Sequence, residues 1–176
     1  MIMPRGSNQL LLPANPLFIA FTLALACGFN MLPVGRMAGM PDLLAVALVF
    51  WNVYQPRRVG VGVAFVFGLL IDVHQGALLG QHALAYTLLS FAATSIHRRL
   101  LWFGVVEQAL QILPLFFGAH LVSLAVGLMA GGMFPGWWLL LAPLLQALLW
   151  PVAMLVVLLA INVIAAYSAW LPLAAG

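Results

Sequence analysis

The side chains best suited to chemistry gather in one short segment, where Asp72, His74 and His82 stand close together with Gly76 and Gly80 between them. A carboxylate and two imidazoles are the groups of a metal centre or of an acid–base pair. The metal reading fails on spacing. His74 and His82 are separated by a glycine-containing loop rather than by helical turns, and no cysteine or second carboxylate lies nearby, so no metal site is expected. Ser90, Ser95, Ser123 and Ser168 have no histidine and acid partners at a readable spacing, which leaves nucleophilic catalysis without a motif. His120 interrupts an otherwise apolar helix and reads as a hydrogen-bonded core residue, while Glu107 shares a helix face with Gln111 and has Arg98 and Arg99 within reach as partners. No catalytic residue and no cofactor are expected.

Asp72 still needs a physical account. It falls at the C-terminal end of an apolar stretch, where the negative end of a helix dipole disfavours a carboxylate. Arg36, His74, His82 or the free amides of the turn from Gly76 to Gly80 could offset that cost. Two roles follow, an anchor for that turn or a contact for a partner. Asp42 is simpler: Pro41-Asp42 opens a helix, with proline pre-set for the start and the carboxylate capping free amides at the positive dipole end.

The elements that must position these groups follow from composition. Of 176 residues, 66% are hydrophobic and 5% charged, against roughly half and about a quarter in a soluble domain, and the mean hydropathy is +1.18. Such a chain cannot wrap its core in water, which excludes a soluble globular enzyme, and it is too apolar for disorder. The net charge of +3 comes from scattered arginines and offers no nucleic-acid surface. Cys27, the single cysteine, forms no internal disulfide and reads as a small hydrophobe. Arg5 followed by an apolar run ending at Cys27 has the outline of a lipoprotein signal, but the run continues to Val34, and it is read as a permanent helix.

Turn signals divide the chain into six candidate membrane spans, roughly 17–34, 38–54, 59–73, 83–96, 105–130 and 138–166, as a single all-α membrane domain over 1–176. If all six cross, Arg5, Arg57, Arg58, Arg98 and Arg99 share one side and only Arg36 lies on the other. That bias places both termini in the cytoplasm. A re-entrant hairpin of the second and third segments would strand Arg57 and Arg58 at the midplane, at about 2.5–3.5 kcal/mol each. Trp51, Tyr54, Trp102, Trp137 and Trp138 fall next to the expected interfaces. Small residues spaced by four form two helix-packing seams, Ala20, Ala24 and Gly28 in the first span, and Gly60, Ala64 and Gly68 in the third.

With these elements in place, a block of residues resembles a family. Pro41-Asp42 before a short apolar helix ending near Trp51, Pro56-Arg57-Arg58-Val59-Gly60, Gly68-Leu69-Leu70-Ile71-Asp72, Gly76, Leu79-Gly80, His82 through Thr87 and Leu148-Leu149-Trp150-Pro151 are similar to the rod shape-determining protein MreD family. The resemblance implies a bacterial inner-membrane, multi-pass protein without enzymatic activity. It implies a place in the cell-elongation complex that governs cell shape and lateral peptidoglycan synthesis, beside a bitopic MreC-like partner and, directly or indirectly, MreB, RodA and its transpeptidase partner. It also implies a fold similar to the substrate-binding subunit of energy-coupling-factor vitamin transporters. The sequence departs from the family pattern at Asn162–Gly176, which carries no charge. The competing class is transport, in which Asn30, Asp72, His74, Gln75, Gln81, His82 and Tyr86 would line an outward cavity.

Overall fold

The computed structural model describes residues 15–32 and 39–174, of which 164–174 as backbone alone. The described residues form six α-helices and no strand: α1 Pro16–Met31, α2 Leu43–Tyr54, α3 Val61–Gln75, α4 Gln81–Leu100, α5 Val105–Met129 and α6 Leu141–Ala174, with a 3-10 turn at Trp137–Leu140 before α6. α5 and the stretch Trp137–Val163 are long and apolar enough to cross a membrane. Arg5, Pro13, Pro33, Gly35 and Arg36, the two chain ends and the side chains of the uncharged tail lie outside the described residues.

The helix starts follow their capping chemistry. Asn15 Oδ1 accepts from the Leu17 N–H at 3.0 Å, with Pro16 in the first position, where its missing N–H costs nothing. Asp42 Oδ1 accepts from Ala45 N at 3.0 Å to start α2. Pro41 stands one residue before that cap, not in the first turn as expected. Glu107 Oε2 accepts from Gly104 N at 3.2 Å, so this carboxylate closes the start of its own helix, where an ion pair with Arg98 or Arg99 was expected. α4 runs on to Leu100, past the expected end at 96. The His97-Arg98-Arg99 run is a last turn and not a break, because cations are favoured at the negative end of the dipole.

α2 is the interior of the molecule. Its 12 residues reach about 18 Å, short of a bilayer core of about 30 Å, and every residue from Leu44 to Val53 except Ala47 is buried. Trp51, expected at an interface, is 1% exposed. Its ring stands edge-on to Phe18 and Phe50, and its Nε1–H donates to Thr22 Oγ1 at 2.9 Å. Trp102, Trp137 and Trp138 are exposed, as interface anchors would be.

Side-chain bonds fix the helix directions. Asp42 at the start of α2 meets Tyr86 near the start of α4, and Asn52 near the end of α2 meets Ser90 and Thr94 farther along α4, so α2 and α4 run parallel. α3 runs opposite to both, since its last turn meets the first turn of α4. The pairs Arg57-Arg58 and Arg98-Arg99 therefore lie at one end of the bundle, and Asp42, Asp72 and the α3–α4 turn lie at the other.

Candidate functional site

Asp72 belongs to the last turn of α3, yet its carboxylate serves α4. Oδ1 accepts from His82 N and His82 Nδ1, both at 2.8 Å, and Oδ2 accepts from Gly80 N at 2.9 Å and Ala83 N at 3.2 Å. Four bonds fill the four acceptor positions of a carboxylate. Gly80, the residue before α4, has no side chain with which to cap, and three of the amides that a helix start leaves open go instead to a side chain from the preceding helix. Asp72 thus sits at the negative end of α3 and the positive end of α4 at once, which resolves the electrostatic problem posed by its position. It is fully buried.

The cap works because the two helices almost touch one turn earlier. A Cβ built on Gly68 would lie 2.3 Å from the Cα of Ala83. Ala64 and Gly68 are both buried on this contact face. Gly60, the third member of that stripe, stands at the head of α3 with nothing within 4 Å of a built Cβ. Gly76 ends α3 in the left-handed conformation at φ 63°, and Gly80 has φ 105°, so both glycines are used for backbone freedom in the turn. His74 does not serve Asp72: its Nε2–H donates to the Met31 carbonyl at 2.9 Å and ties α3 to the end of α1.

The other seam lies elsewhere than an internal contact. α1 turns Ile19, Leu23, Cys27 and Asn30 inward, while Ala20, Ala24 and Gly28 are exposed, with nothing within 4 Å of a built Gly28 Cβ. The inward face is one residue out of phase with the seam, because the bulkier side chains fill the gap to α2.

Asp42 proves to be more than a cap. Its Oδ1 also accepts from Asn30 Nδ2, its Oδ2 accepts from the Tyr86 hydroxyl, both at 2.5 Å, and its carbonyl accepts from Gln146 Nε2 at 3.4 Å. One residue joins α1, α2, α4 and α6. A second node, deep in the bundle, holds Asn52 Oδ1 between Ser90 Oγ at 2.8 Å and Thr94 Oγ1 at 3.1 Å, with Asn52 Nδ2 donating to Leu48 O at 2.7 Å. Sequence reasoning passed over Asn52 and Gln146. The signal was there, because an amide inside a wholly apolar helix must find partners.

Between these groups lies a cavity of about 620 Å³, lined by Asn30, Asp42, Gln75, Gln81, His82, Tyr86, His120 and Ser123 among apolar neighbours. His120 bonds its own helix, Nδ1 to Phe116 O at 3.0 Å, as expected of a core histidine. Among the described residues no group of three or more His, Cys, Asp or Glu side chains is placed to hold a metal ion. The arrangement holds helices together and shapes a cleft.

Comparison with known proteins identifies a family. The family model for rod shape-determining protein MreD matches residues 9–165. The chain is 32% identical over 137 residues to the rod shape-determining protein MreD of Haemophilus influenzae, covering 76% of this chain and 80% of that one. No solved structure matches. With the match running from the first helix well into the last and taking in both the Asp42 and Asp72 nodes, the chain belongs to the MreD family of rod shape-determining proteins.

Proposed function

We propose that this protein is a non-enzymatic scaffold of the bacterial cell-elongation complex, a single inner-membrane domain crossing six times with both termini inside. The α3–α4 turn, on the outer side, helps hold an MreC-like bitopic partner, and through it MreB, RodA and the transpeptidase are reached. Membership of a shape-determining family supports the setting, and the arginine pairs at one end of the bundle support the orientation. The observation that carries the reading is the Asp72 lock. A buried carboxylate with four bonds fixes a short turn whose tips, Leu78 and Leu79, are 52% and 69% exposed. The charge is hidden inside and an apolar surface is held out, the arrangement expected of a docking edge beside a membrane.

The test is recovery of the partner from mild detergent at equal membrane levels of wild type, Asp72→Ala and Leu79→Ser. Both variants should recover less partner and round the cells, with insertion intact. Wild-type recovery and rod shape in both would move the contact, and the exposed Ala20, Ala24 and Gly28 seam would be the next surface to test. The cavity favours one second reading, a substrate-binding subunit of a small-molecule transporter. Co-purification of a coiled-coil bitopic protein decides for the scaffold, and of an ATP-hydrolysing complex for the transporter.

A further inference from the structure

The cavity at the Asp42 end of the bundle carries, beside the amide and hydroxyl donors of Asn30, Gln75, Gln81 and Ser123, a set of unfilled acceptors around one carboxylate. Asp42 Oδ1 is filled by Ala45 N–H and Asn30 Nδ2–H, but among the described residues Oδ2 takes only the Tyr86 hydroxyl, which leaves it a lone pair. His82 gives its Nδ1–H to the Asp72 carboxylate, and His120 gives its Nδ1–H to the Phe116 carbonyl, since neither oxygen can donate. With Nδ1 as the donor, the uncharged form of each ring leaves Nε2 as an acceptor, with no partner among the described residues. Gln81 spends an Nε2–H on Ser123 and retains its carbonyl oxygen. Among the described residues no lysine or arginine lines the cavity, and Asp42 has no cation within ion-pair distance.

We propose that this cavity binds an organic primary ammonium group carried on an apolar body. An ammonium has three donors, no acceptor and a positive charge, the complement of the Asp42 carboxylate and the two imidazole nitrogens, whereas a polyol brings no charge and as many acceptors as donors. A single inorganic ion would leave most of about 620 Å³ unfilled and finds no three-ligand cluster. The negative charge of Asp42 receives the ammonium, the imidazole Nε2 atoms accept its hydrogens, and Leu78, Phe116, Leu124 and Leu139 take the hydrocarbon. Two sources share this chemistry, the ethanolamine headgroup of a phospholipid and a free amphiphilic amine. The site is independent of the scaffold reading.

The experiment uses the full chain in nanodiscs and follows its thermal midpoint with n-hexylamine, hexyltrimethylammonium and hexanol as probes, because a ligand of the folded state raises the midpoint saturably. Native mass spectrometry after exchange into phosphatidylethanolamine or phosphatidylcholine supplies the lipid arm. Hexylamine should stabilise with saturation, hexyltrimethylammonium should need at least tenfold more, and hexanol should do nothing specific. Asp42→Asn, which keeps a competent cap, and Ala119→Leu, which fills the cavity, should each raise half-saturation at least tenfold. Glu107→Gln, at the other end of the bundle, should leave it unchanged. Selective retention of phosphatidylethanolamine assigns the ammonium to a lipid, and hexylamine saturation with equal retention of both lipids assigns it to a free amine. The proposal is overturned if hexylamine gives no saturable shift and neither lipid is preferred, or if both cavity variants bind like wild type. Binding that appears only in Arg36→Ala also overturns it, because the chain's own guanidinium would then fill the role.

Discussion

Replacing Asp72 with alanine removes the acceptor of three main-chain N–H groups and one ring N–H. Taken separately, hydrogen bonds to a charged group at about 1.5–3 kcal/mol each would sum to far more than the variant should lose. Water can reach part of the site: Gly80 and His82 are half-buried and their donors can be rehydrated, whereas Ala83 is completely buried and its amide stays orphaned. One orphaned buried amide costs about 1–3 kcal/mol, and loss of a charged helix cap about 0.5–2 kcal/mol. The expected destabilisation is therefore about 1.5–5 kcal/mol. Asparagine has nearly the shape of aspartate, and on shape alone would be mild. It offers one oxygen where the site uses two, so its NH₂ must face either the Gly80 and Ala83 amides or the two His82 donors. Asp72→Asn should thus fall within about 1 kcal/mol of Asp72→Ala. Denaturant titration in mixed micelles gives the stabilities, and hydrogen exchange reports the amides of Gly80, His82 and Ala83. A loss below about 1 kcal/mol in Asp72→Ala with those amides still protected would show that α4 does not depend on this cap, and the reasoning would fail.

Gly68→Ala should separate α3 from α4 and cost about 1–3 kcal/mol in the same titration, while Gly60→Ala, with open space around it, should stay within about 0.5 kcal/mol. Asn52→Leu leaves the Ser90 hydroxyl buried without its acceptor and should cost about 1–3 kcal/mol; adding Ser90→Ala should restore part of it, and strictly additive losses would deny the pair. In intact cells a membrane-impermeant thiol reagent should label Leu78→Cys and not Arg57→Cys, both exposed positions, with the buried native Cys27 silent. Labelling at position 57 from outside would reverse the proposed orientation.

Much of this architecture could be read from the sequence where a residue type admitted only one physical solution. Proline and aspartate at a helix start, an arginine-bearing break, glycine and alanine spaced by four, and a carboxylate at the wrong end of a dipole each restrict what the backbone can do. The Ala64 and Gly68 contact and the need of Asp72 for donors were legible on those grounds. The identity of the donors was not, because a cap supplied by a different helix leaves no fixed spacing in the chain. Nor could the sequence say which face of α1 turns inward: on a helix apolar nearly all round, periodicity carries no sign, and Ile19, Leu23 and Cys27 take the place that Ala20, Ala24 and Gly28 fit equally well by pattern. α2 shows the same limit: a short, almost wholly apolar segment reads equally as a short span or as a buried helix, and only the structure shows that protein encloses it on nearly every side.

Among lipid tails, apolar packing alone gives helices little reason to associate, and close backbone approach and shared hydrogen bonds must do so. In this bundle most of those bonds meet on one helix. Asp72 joins α3 to α4, Asp42 and Asn52 join α2 to α4 at two depths, and Gln81 joins α4 to α5. α4 has the most polar composition of the six, ending in His97, Arg98 and Arg99, and would be the poorest membrane span by composition. That polarity is what makes it the common partner: Tyr86, Ser90 and Thr94 recur at steps of four and present hydroxyls to a single neighbour, α2. Its first turn is clamped from one side by Asp72 and from another, through Tyr86, by Asp42. Whatever seats on the α3–α4 turn or in the adjoining cavity therefore bears on the helix whose far end carries Arg98 and Arg99. On the scaffold reading proposed above, a partner on one side of the membrane and components on the other would need one element in contact with both, and α4, clamped at one end and carrying Arg98 and Arg99 at the other, is the helix we propose for it.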